Sequence, residues 1–99
     1  MEVIKNLNGA ELTVELNGRL DTNSSPEVEK QIFDSIEGVQ SLIVDLKDTP
    51  YTSSAGLRVF LKLQKQMDKV GGSFKITNAN ADILEIFDIT GFADIITIG

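Results

Sequence analysis

The sequence predicts an α/β fold on a mostly parallel sheet of four to five strands, and three observations carry that prediction. Short apolar or alternating runs are separated by longer segments with helical spacing, the pattern of βαβ units joined by right-handed crossovers. Leu42-Ile43-Val44 is apolar on both sides of the chain, as a strand inside a parallel sheet requires. The 99 residues fit one domain, residues 1–99, which by size scaling buries roughly two thirds of its unfolded surface.

Taken in order, Val3-Ile4 predicts a short edge strand, and Asn8-Gly9 a turn suited to a hairpin. Residues 10–16 alternate, with Leu12, Val14 and Leu16 on one face and Glu11, Thr13 and Glu15 on the other, which gives a strand with one wet side. After a loop over Asn17-Gly18-Arg19-Leu20-Asp21 come dense helix-start signals at residues 22–27: capping residues, Pro26, and Glu27 and Glu29 for the first turn. Val28, Ile32, Phe33 and Ile36 extend that helix to about Glu37, with Gly38 as its stop.

The next strand is Leu42-Ile43-Val44. A long helix over residues 54–70 ends at Gly71-Gly72. Residues 74–77 form another strand, Asn78-Ala79-Asn80 a turn, and residues 81–90 a third helix with Ile83, Ile86, Phe87 and Thr90 on its inner stripe. Gly91 closes that helix, and residues 95–98 supply a last strand.

Composition narrows the function. A net charge of −6 and an isoelectric point near 4.4 argue against a nucleic-acid backbone as partner. Without Cys there is no disulfide, thiol nucleophile or thiolate metal site, and without His the usual general base and zinc ligand are missing. No apolar run approaches the ~20 residues of a membrane span and no signal-peptide core is visible, so a cytoplasmic protein without metal or cofactor is expected.

The chain's most informative stretch runs from Asp45 to Leu61: a strand end, a polar loop with Pro50, then a helix that opens on hydroxyls. A helix N-terminus leaves N–H groups unpaired and carries partial positive charge, so Ser53 and Ser54 read either as caps or as a modification site. On the wheel Gly56, Val59, Phe60, Leu63, Met67 and Val70 share the core stripe. Ser54, Leu57 and Leu61 lie on its flank, beside a basic stripe of Arg58, Lys62, Lys65 and Lys69. The two leucines are either covered by neighbours or an apolar docking patch. The basic stripe is either a solvated face or a contact for an acidic partner.

Val44-Asp45-Leu46 followed by Tyr51-Thr52-Ser53-Ser54-Ala55-Gly56-Leu57 resembles the signature of the STAS family, the domain of bacterial anti-sigma factor antagonists. Gly18-Arg19-Leu20-Asp21 is similar to the family's Gly-x-Leu-Asp, and residues 86–96 resemble its C-terminal stretch, so the likeness covers nearly the whole chain. It implies strands that succeed one another in space as a β-α superhelix, with helices mainly on one side. It also implies a protein-binding switch rather than an enzyme. The unphosphorylated chain would sequester an anti-sigma factor with Ser/Thr kinase activity, which binds the ATP. That kinase would phosphorylate Ser54, and a PP2C-type phosphatase would restore it.

The residue before the acceptor, Asp in the family, is Ser53 here. By resemblance Asp21 lies near the serine and helps bind the kinase; its plainer reading is a cap of the following helix. The partner surface is then Asp21, Ser53, Ser54, Gly56, Leu57, Arg58 and Leu61. The alternative is a STAS scaffold or accessory subunit in a stress-signalling assembly or lipid-transport complex. A serine hydrolase would need Lys47 or Lys62 as its base, with no motif to support either.

Overall fold

A computed structural model describes residues 1–99. Five strands, β1 (Glu2–Asn8), β2 (Glu11–Asn17), β3 (Ser41–Asp45), β4 (Ser73–Thr77) and β5 (Thr97–Ile98), lie in one sheet in sequence order. The β1–β2 pair is antiparallel and every later pair is parallel. Helices α1 (Ser25–Phe33), α2 (Ser54–Lys69) and α3 (Ala81–Thr90) cross between the parallel strands.

Alternation decides which face is covered. Leu12, Val14 and Leu16 of β2, Leu42 and Val44 of β3, and Phe74 and Ile76 of β4 are buried, and they meet Val28 and Ile32 of α1, Val59, Phe60, Leu63 and Met67 of α2, and Ile83 and Phe87 of α3. The residues between them, Glu11, Glu15 and Lys75 among others, face outward, so the helices share one side. Phe60 sits at the middle of this layer, 6.4 Å from the Phe74 ring and 6.3 Å edge-on to Phe87.

The structure departs from the sequence reading at element ends. The first strand is longer than Val3-Ile4, and its hairpin turns on Gly9-Ala10 rather than Asn8-Gly9. Asn8 pairs with Glu11, and Gly9 takes the positive φ of 62° at the first central position of a type II′ pattern. Helix α1 stops at Phe33, not near Glu37. There the Ser35 hydroxyl donates to the Gln31 carbonyl, a side-chain bond that competes with helix propagation. Ile36 still reaches the core, from a turn closed by the Val39 N–H on its carbonyl, so apolar spacing outlasts the helix.

Val70, expected in the core stripe, is 45% exposed. It is the C-cap of α2, its N–H still on the Gln66 carbonyl, and the chain turns away directly after it, where the Gly71 and Gly72 N–H groups bond the Asp68 and Met67 carbonyls. On the inner stripe of α3, Thr90 is exposed rather than packed. The last strand is only Thr97–Ile98, because Gly91 (φ 79°) is followed by a 3₁₀ turn over Phe92–Asp94.

Gly56 is fixed by space rather than by φ. A Cβ built there would stand 2.3 Å from Thr52 Oγ1 and 2.7 Å from Leu20 Cγ, and both residues are buried. The helix gain from Ala, at most about 1 kcal/mol, is smaller than the overpacking cost of about 1–3 kcal/mol. Gly56→Ala is therefore expected to lower the urea midpoint, and an unchanged or raised midpoint would mean that this contact is soft.

Candidate partner-binding and phosphorylation site

Strands β2, β3 and β4 run parallel, so the loops that leave their carboxyl ends gather at one end of the sheet, where sites collect in open α/β folds. Backbone bonds tie the first two loops together. Leu20 and Thr52 form a parallel bridge, the Leu20 N–H donates to the Tyr51 carbonyl at 2.9 Å and the Ser53 N–H to the Leu20 carbonyl at 2.8 Å. The Gly18 N–H reaches the Asp48 carbonyl, and the buried Thr49 hydroxyl donates to the Leu16 carbonyl. The third loop joins through the Asn80 side-chain amide, which donates to the Pro50 carbonyl at 3.2 Å. The Arg19 guanidinium closes the rim over the exposed Tyr51 ring, 4.4 Å from its centroid.

The two serines separate their roles. Ser53 is the residue before α2, and its Oγ accepts the Ala55 N–H at 3.2 Å, so it is the cap. Ser54 is the first helical residue, exposed, and its hydroxyl has no hydrogen-bond partner in the protein. The N–H groups of Ser54 and Gly56 also lack a protein acceptor, as expected of a first turn. No base is hydrogen-bonded to the Ser54 hydroxyl: Lys62 is bonded to Glu29 at 2.9 Å, and the Lys47 ammonium makes no side-chain hydrogen bond to this serine.

Of the remaining expected partner residues, the structure brings some to the surface and withdraws others. Arg58 is exposed and Leu61 half-buried. Leu57, expected on an open flank, is 8% exposed and belongs to the core cluster. Gly56 is buried too, and its close approach to Leu20 and Thr52 makes it a packing residue beneath the rim rather than part of its surface. Leu20 and Thr52 crowd the start of α2 at Gly56, and Leu57 packs into the hydrophobic cluster, neither of which a bare helical wheel records. Sequence reasoning passed over Tyr51 and Arg19 as a pair. The signal available was a lone aromatic and a lone cation on loops from neighbouring strands.

The basic stripe is divided as well. Lys62 pairs with Glu29 of α1, whereas Arg58, Lys65 and Lys69 are exposed with no acidic partner within 4.0 Å. Asp21 lies beside Ser53 through the Leu20–Thr52 bridge. Its carboxylate accepts the Ser24 and Asn23 N–H groups, both at 3.0 Å, and shapes the turn before α1 rather than capping the helix itself. The backbone bond from Ser24 is the main cause that lowers its pKa from 3.8; the Asn23 N–H, the Ser24 hydroxyl and the Arg19 charge add to it, and some desolvation opposes it.

Because the folded-state value lies below the unfolded one, ionised Asp21 stabilises the fold fully above pH 3.8, and this contribution is lost as pH falls through the folded value. Asp21→Ala is expected to melt below the parent at neutral pH, with the gap narrowing as pH drops below 3.8. Thermal melts of both proteins across that range measure it, and a gap independent of pH would remove the role given to the carboxylate.

With this geometry in place, comparison with known proteins places the chain. The sequence pattern of the STAS domain matches residues 1–99. Over 91 residues the chain is 36% identical to the anti-sigma-B factor antagonist of Bacillus subtilis (strain 168), covering 92% of this chain and 84% of that protein. Among solved structures, a Thermotoga maritima protein proposed to be an anti-sigma factor antagonist superposes with a TM-score of 0.92 at 19% identity, covering 97% of this chain and 84% of that one. The Bacillus anti-sigma factor antagonist SpoIIAA is similar in its unphosphorylated form (TM-score 0.74, 14% identity, 99% and 87% covered). Its phosphorylated form is similar as well (TM-score 0.78, 16% identity, 99% and 91% covered). At those identities the structures speak for the fold.

Proposed function

The chain belongs to the STAS domain family, and from that premise we propose that it is an anti-sigma factor antagonist switched by phosphorylation of Ser54. The observation that carries the proposal is the idle Ser54 hydroxyl. It stands exposed at the positive end of a 16-residue helix, while the neighbouring serine does the capping. A relative that is itself an anti-sigma-B factor antagonist, 36% identical along nearly the whole chain, supports the partner class.

In the unmodified state the rim of Asp21, Ser53, Ser54, Arg58 and Leu61 docks an anti-sigma factor that has Ser/Thr kinase activity and carries ATP. Gly56 and Leu57 hold that rim from beneath. The Ser54 oxygen attacks the γ-phosphorus, its proton passes to a base of the kinase, and ADP stays with the partner. The phosphoserine adds a charge of about −1.5 to −2. The unpaired Ser54 and Gly56 N–H groups and Arg58, one turn along, suit an anion there, so the fold need not rearrange. What changes is the charge presented to the partner, which leaves, and a PP2C-type phosphatase hydrolyses the ester.

Ser53 in place of the family's Asp preserves a capping oxygen and removes one negative charge beside the acceptor. Incubation with a cognate anti-sigma kinase and ATP, followed by peptide mass analysis, should place one phosphate on Ser54. Ser54→Ala should take none. Ser53→Ala should still be phosphorylated while losing about 1 kcal/mol of stability. Phosphate on Ser53 instead would reverse the assignment.

A further inference from the structure

We propose that the chain associates with a second copy of itself through the free edge of β1, pairing antiparallel about a two-fold axis at Ile4. The two edges of the sheet are unlike. β5 offers two residues, whereas β1 is seven residues long, carries no proline or bulge, and pairs only with β2. An edge of that kind is a template for another strand unless charge or a covering segment blocks it. The only side-chain tie from another layer is Lys5 Nζ to Ser35 Oγ at 3.0 Å.

The hairpin fixes which backbone groups are free. Its two-residue loop makes Asn8 and Glu11 a hydrogen-bonded pair, and the pattern then alternates along the register. Asn6 and Ile4 bond to β2, while the N–H and C=O groups of Leu7, Lys5 and Val3 point outward. An antiparallel mate must match outward residue with outward residue, which leaves only a few registers.

Side chains select among them. Met1, Ile4 and Leu7 are 45%, 41% and 61% exposed, three of the chain's eight exposed large hydrophobics within its first seven residues. In the register that sets Val3 against the mate's Lys5, Ile4 faces the mate's Ile4 on the open side of the sheet. Met1, alongside Gly18, faces the mate's Leu7 on the helix side. All three exposed apolar side chains are then covered by apolar ones. Shifting by one step toward the hairpin sets Lys5 against Lys5, a like-charge pair directly across strands, and leaves Ile4 against Asn6. A further step sets Leu7 against Lys5. Only the first register satisfies charge and apolar burial together.

One strand edge makes a small interface, in the class of weak, transient association. Sedimentation equilibrium up to about 1 mM protein reaches that range. The expected result is a monomer–dimer equilibrium whose dissociation constant rises at least tenfold in Ile4→Glu, which sets two carboxylates across the axis, with circular dichroism unchanged. Amide exchange gives a second reading that needs no variant. The Val3, Lys5 and Leu7 amides should gain protection with concentration, while Ile4 and Asn6 are protected at every concentration. A protein monomeric throughout overturns the proposal. So does a dimer that Ile4→Glu leaves unweakened, or one in which the three outward amides exchange at a rate independent of concentration.

Discussion

The first turn of α2 rests on Leu20 and Thr52 with no room for a single methyl group, and the rest of this end of the sheet depends on that contact. Gly56 allows the approach. The Leu20–Thr52 bridge and the two backbone bonds around it then hold the loop after β2 and the loop after β3 as one piece. Through that piece Asp21, Tyr51, Ser53 and Ser54 keep fixed positions relative to each other, although they come from two loops and a helix.

Such rigidity bears on how a single phosphate could act. A site built on mobile loops would answer a new charge by ordering or melting a segment, as many phospho-switches do. Here the capping position is already taken by Ser53, the loop beneath is laced to its neighbour, and the helix N-terminus accepts an anion without strain. A phosphate on Ser54 would therefore have little to reorganise within the chain, and its effect would fall on whatever docks there. Arg58, exposed and without an acidic partner, is the nearest cation on α2 to share between phosphate and partner.

Much of the fold was legible because periodicity reports burial directly. The switch from alternation to helical spacing located five strands and three helices, and the fully apolar Leu42-Ile43-Val44 marked the strand that β2 and β4 flank. Ends were less legible. Ile36 kept helical spacing after α1 had stopped, and Val70 kept it as the C-cap of α2, where it is 45% exposed, because spacing records which side a residue faces but not whether a neighbour covers it or the backbone still coils. At the site, the motif and its helix position made Ser54 the expected acceptor, but a wheel drawn for one helix could not show that Leu57 packs into the core cluster or that Leu20 and Thr52 crowd Gly56. The crowding of Gly56 comes from a bridge between residues 20 and 52, which local pattern does not encode.

The most direct test of the switch is calorimetric titration of the cognate anti-sigma factor with the unmodified chain and with a sample carrying phosphate on Ser54, at matched salt. The account predicts at least a tenfold loss of affinity, about 1.4 kcal/mol or more, with backbone amide spectra altered only around residues 19–22 and 51–58. Equal affinity for the two forms, or a loss accompanied by rearrangement across the sheet, would contradict it.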